Sequence, residues 1–131
     1  MKPVAVRLAV PGMSMPKAGA TAIATFEAFL PVRPDVRRRP VFGQPAAFVG
    51  GNMFFGVFGD RVFVRLSEAD RALAEKTVGA TTFEPMPGRP MREYMVLPAA
   101  VWKDRKKAMA WVDRSLQYAG ELPAKKPKPP K

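Results

Sequence analysis

The side chains that most often do chemistry are scarce in this chain of 131 residues. It has no Cys and no His. A disulfide framework, a thiolate nucleophile and a Cys-ligated zinc are therefore excluded. So are an imidazole general base and imidazole metal ligation. The serines are Ser14, Ser67 and Ser115. An enzyme built from this chain would have to rely on carboxylates, Lys, Arg or Tyr. The nearest to a constellation is Tyr94 with Glu84 and Glu93 around the Pro87-Gly88 turn. Glu68 and Asp70 are two apart on an expected helix and so do not share a face. No GxxxxGK[ST], GxGxxG or D-x-D cluster occurs. The expectation is a protein that is not an enzyme, with no catalytic residues, cofactor or metal.

The other chemistry available is anion binding. Arg37-Arg38-Arg39 is a run of three guanidinium groups, each a bidentate fork for phosphate or carboxylate. On an edge strand the same charges would discourage edge-to-edge pairing. Lys125, Lys126 and Lys128 lie in a Lys/Pro-rich end, which could add weak, salt-sensitive affinity for nucleic acid. The formal charge of +11 is concentrated in the flanks. The first twenty residues carry +3 and the last nine +4, while the segment between holds 15 basic and 11 acidic residues. The pattern is a mildly basic domain with charged ends.

Two aromatic patterns bear on nucleic acid. Gly56-Val57-Phe58-Gly59 has the outline of a backbone-clamping GxxG loop, but it joins two strands and reads as a β-turn. Phe54, Phe58 and Phe63 could share one face as a base-stacking platform edged by Arg61 and Arg65. The favoured reading buries these three rings beneath helices as core.

These side chains must be positioned by elements that the sequence marks. A hydrophobic content of 47% with 25% charged residues is that of a globular domain. Residues 1–16 read as a flexible leader, 17–120 as one folded domain and 121–131 as a disordered Lys/Pro tail. No apolar stretch is long enough to span a membrane. Ala22, Phe26, Phe29 and Leu30 share one side of a helix over 18–30. Residues 36–66 read as strands, with Pro40 and Pro45 at edge or bulged positions and turns at Gly50-Gly51 and Gly59-Asp60. Ser67 caps a helix that Gly79 ends. Thr81–Met86 and Met91–Leu97 pair about Pro87-Gly88, and Pro98 opens a short helical segment. Asp104 caps a final helix that lines up Ala108, Trp111, Val112, Ser115, Leu116 and Ala119, with Gly120 closing it. The order predicts an α+β two-layer domain, a central antiparallel sheet with helices packed against it.

The segment Phe83-Glu84-Pro85-Met86-Pro87-Gly88-Arg89-Pro90-Met91-Arg92-Glu93-Tyr94-Met95-Val96-Leu97-Pro98 resembles the signature of the TfoX/Sxy N-terminal domain family. Arg39-Pro40-Val41-Phe42-Gly43 resembles that family's MFG element, with Val41 in place of Met. Phe42, Gly43, Pro87, Gly88, Arg89, Pro90 and Tyr94 carry the match, which extends over about residues 20–119. The resemblance implies a two-layer domain with a central antiparallel sheet and a non-enzymatic role. The family's named members are regulators of natural competence that act with the cyclic-AMP receptor protein at certain promoters. They have a second, helical C-terminal domain where this chain has its Lys/Pro tail. The resulting expectation is a cytoplasmic regulatory or adaptor module working through protein–protein contacts, with transcription machinery as the expected partner. The alternative is weak nucleic-acid binding through the tail and Arg37–Arg39.

Overall fold

Short turns built on glycine dictate most of the architecture. Gly50 and Gly51 both take positive φ (57° and 79°), the backbone of a two-residue turn whose twist matches the strands it joins. Gly88 at φ 79° follows Pro87 in the same way that a type II turn places its glycine. The computed structural model describes residues 17–41 and 43–124. The elements are α1 (Ala20–Phe29), β1 (Val36–Val41), β2 (Gln44–Val49), β3 (Asn52–Phe58) and β4 (Arg61–Arg65). They continue with α2 (Glu68–Val78), β5 (Thr81–Met86), β6 (Arg89–Val96), α3 (Ala99–Trp102) and α4 (Arg105–Glu121). The strands form one six-stranded sheet in the order β1-β2-β3-β4-β6-β5, and every neighbouring pair is antiparallel. This is the expected α+β architecture. The leader, Phe42, Lys125, Lys126, Lys128 and the rest of the tail lie outside the described residues.

Helix ends follow their capping chemistry. The Ser67 hydroxyl accepts from the Asp70 N–H, and Gly79 at φ 75° closes α2 with its N–H on the Ala74 carbonyl. The Asp104 carboxylate accepts from the Lys107 N–H at the start of α4. Gly120 does not end that helix as expected. It keeps helical backbone, α4 continues to Glu121, and Leu122 N–H closes the last turn on Ala119 O.

The main core lies between the sheet and α1, α3 and α4. Phe26, Phe29, Val101, Trp111, Val112 and Leu116 pack there on Phe54, Phe55, Val57, Val62, Val64 and Leu66. β3 is bulged: Phe48 faces Met53 while Ala47 faces Phe55, so Phe54 has no partner of its own on β2. The extra residue turns both Phe54 and Phe55 toward the helices and reverses the parity of the rest of the strand. Phe58 therefore points away from the helices and joins Phe63 and Phe83 in a second buried cluster, flanked by Met53, Met91, Tyr94 and Val96. This corrects the expected common face for Phe54, Phe58 and Phe63. Only Phe54 lies beneath helices; the other two are buried by strand side chains on the opposite face.

Candidate functional site

The signature segment and the arginine run both border the face of the sheet that carries no α-helix in its buried cluster. At the centre of that face Phe63 stacks on Phe83, with centroids 4.3 Å apart and planes 14° apart. Phe58 meets Phe83 edge-on at 5.5 Å and Tyr94 meets Phe63 edge-on at 5.7 Å. Gly56 lies opposite Phe63 and leaves room for the ring, since a Cβ there would come within 2.7 Å of Phe63 Cζ. Phe58, Phe63 and Phe83 are at most 3% exposed. Arg61 lies over Phe58 and Phe83 at 5.3 and 6.0 Å, and Arg65 lies over Tyr94 at 5.4 Å. The expected arginine rim exists, but the rings inside it are closed to a stacking base.

The groups named as catalytic candidates are engaged in holding this face together. Glu84 accepts a 2.6 Å bond from Gly88 N–H and so staples the Pro87-Gly88 turn from β5. Glu93 Oε1 accepts from Arg65 Nε at 2.7 Å and lies 2.7 Å from Arg65 Nη2 in the same ion pair. Tyr94 donates to the Met53 carbonyl at 3.0 Å. Burial pushes the Tyr94 hydroxyl above the usual tyrosine pKa, with the Arg65 cation opposing that shift. The phenol is thereby held as a neutral donor.

From the other face, Ser115 Oγ donates to Phe54 O at 2.5 Å and accepts from Arg65 N–H at 3.0 Å. The two carbonyls at the bulge are thus met by a tyrosine on one side and a serine on the other. Sequence reading placed Ser115 on the buried face of α4 without finding this role. A lone Ser amid the apolar positions of an amphipathic helix is the signal that could have led to it.

The remaining family-motif residues are turn and strand positions. Gly43 has φ 74°, suited to the tight β1–β2 connection, while Arg89 and Pro90 begin β6 in exposed positions. Clefts of about 480 Å³ and 390 Å³ lie beside α4 and α1. Neither is lined by Glu84, Glu93 or Tyr94. No group of side chains suited to a metal ion occurs among the described residues.

Strand alternation splits the arginine run. Arg38 turns to the helix side, where it lies 5.5 Å over Phe26 and is ion-paired with Glu27 of α1. Arg37 and Arg39 turn to the other side, and Arg39 rests 4.2 Å over Phe48. Neither has a carboxylate partner among the described residues. The three arginines expected to act together are therefore two, plus one already neutralised. A second basic patch was missed in the sequence: Lys103, Arg105, Lys106 and Lys107 crowd the start of α4, all exposed. Its signal is four cations in five positions around Asp104.

The family model described as the TfoX N-terminal domain matches residues 27–119, from the last turn of α1 into the last turn of α4. No curated protein matches the chain.

Proposed function

The chain belongs to the TfoX N-terminal domain family, and on that premise we propose that it is a non-enzymatic regulatory module that works by binding another protein in the cytoplasm. The observation that carries the proposal is the use made of the signature segment. Glu84, Glu93 and Tyr94 each make a hydrogen bond that secures the fold, whereas Arg37 and Arg39, on the strand at the opposite edge of the sheet, are exposed and have no carboxylate partner among the described residues. Side chains that are spent on building the fold, with cations left at the margin of the sheet, suit recognition better than turnover. Among the described residues no helix is long and apolar enough to cross a membrane. The test is photo-crosslinking in the source cells, with a photoreactive residue placed in turn at Arg37, Arg61, Glu75 and Gln117. The expected result is an adduct of one defined protein from a subset of these positions. No adduct from any of them would end the proposal.

A second reading, weak nucleic-acid association, is supported by the unneutralised Arg37 and Arg39 and by the patch around Lys106. With the rings buried, such binding would rest on phosphate contacts alone and be blind to sequence. Gel-shift affinity would then fall steeply from low to physiological salt, and removing residues 125–131 would flatten that slope. Affinity indifferent to both salt and tail would exclude it.

A further inference from the structure

Among the described residues β1 is a terminal strand of the sheet, and the register shows what its outer edge offers. Pro40 faces Pro45, and because neither has an N–H this cannot be a hydrogen-bonded pair. Alternation makes Arg39↔Ala46 and Arg37↔Phe48 the bonded pairs and turns the backbone of Val36, Arg38 and Pro40 outward. The Val36 N–H agrees, since it bonds the Arg33 carbonyl at 3.1 Å outside the ladder. An arriving strand would therefore meet the N–H and C=O of Arg38 and the carbonyls of Val36 and Pro40. On one side of that edge stand Arg37 and Arg39, about 6.8 Å apart as alternate residues of a strand. On the other side Arg38 is already satisfied by Glu27.

We propose that β1 takes up, by strand addition, an extended acidic segment of a partner protein with the pattern acidic-x-acidic. Carboxylates at alternate positions of an extended chain repeat at the same distance as Arg37 and Arg39. In an antiparallel pair they would lie directly across from them, with Cβ atoms about 4.5–5.5 Å apart. The middle residue would pair with Arg38 through both backbone bonds. A second copy of β1 would instead set arginine against arginine, which is unfavourable. A nucleic acid could supply anions but no amide ladder. This inference rests on the protein-binding reading above and assigns that reading its surface.

The probe is a blocked synthetic peptide, Thr-Val-Glu-Val-Glu-Val-Thr, added to the full chain. Binding is expected to slow amide exchange at Arg38 selectively, and Arg37→Glu with Arg39→Glu should weaken it by roughly tenfold or more. N-methylating the peptide's central Val keeps every charge but removes the N–H meant for the Arg38 carbonyl, and should abolish binding. That comparison uses the unmutated protein, so it decides the matter even if the double variant folds poorly. Equal binding by the N-methylated peptide, or Arg38 protection by an oligo-dT strand instead of the peptide, would overturn the proposal. If the peptide fails while crosslinkers elsewhere still capture a defined protein, the edge assignment falls and the protein-binding reading stands.

Discussion

Ser115 is fully buried on α4, and its hydroxyl stands where β3 and β4 would otherwise continue their ladder, between Phe54 O and Arg65 N–H. Ser115→Ala leaves both backbone groups buried and unpaired, a loss of about 1–3 kcal/mol. Urea denaturation should show that loss as a lower midpoint with an unchanged slope. Tyr94 meets the bulge from the other face, and its removal should be visible through pH. Its folded pKa lies above the unfolded value of about 10, because burial favours the neutral phenol. Well below pH 10 the phenol is neutral in both states and its contribution is fully present. As pH rises past 10 the unfolded chain gives up the proton first, so stability is lost until the folded pKa is passed. Tyr94→Phe should be less stable at neutral pH, lacking the bond to Met53 O, and should lose less stability from pH 9 to 11. Equal alkaline loss in both proteins would mean that the phenol is not desolvated.

At the scale of elements, α4 starts against its own dipole. Its first turn has no acidic residue and carries Arg105, Lys106 and Lys107, leaving Asp104 at the cap as the local anion. Lys106→Glu, at an exposed position, should stabilise the protein by about 0.3–1 kcal/mol, and added salt should shrink the gain. A thermal melt at two ionic strengths checks both. Elements whose ends depend on local chemistry were the legible ones: Ser67 and Gly79 mark α2, and Gly50-Gly51 marks the β2–β3 turn. The bulge was not legible, because Met53 to Phe58 is apolar at every position except Gly56. One inserted residue in such a run leaves no trace in a period-two pattern, and the faces of Phe54 and Phe58 were misjudged for that reason. Strand order was equally hidden. Nothing local tells β4 to pair with β6 instead of with β5, which precedes β6 in the chain. The split of Arg37–Arg39, by contrast, comes from simple alternation. What alternation could not supply was Glu27, eleven residues earlier, as the partner that takes Arg38 out of the site.

Taken as a whole molecule, the sheet is held by unequal cores on its two faces. The larger is sealed by α1, α3 and α4; the smaller is a cluster centred on Phe58, Phe63 and Phe83. The β5–β6 hairpin depends on both, but unevenly. Met95 near the end of β6 and Leu97 just after it reach the main core, whereas Phe83 and Met91 nearer the turn reach only the small one. The ladder from β4 to β6 runs from Phe63↔Val96 to Arg65↔Tyr94 and stops short of the turn. The distal half of the hairpin, carrying the Pro87-Gly88 signature, should therefore open at lower free energy than the rest. Phe83→Leu keeps an apolar side chain but removes the stack on Phe63, at a cost of about 1–2 kcal/mol. Hydrogen exchange should then accelerate across residues 81–92, while amides of α4 and of the centre of β3 stay near their original protection. An equal acceleration everywhere would show that both faces melt as one unit. The signature turn would then be as rigid as the core, and its exposed Arg89 and Pro90 would be presented on a fixed support instead of a yielding one.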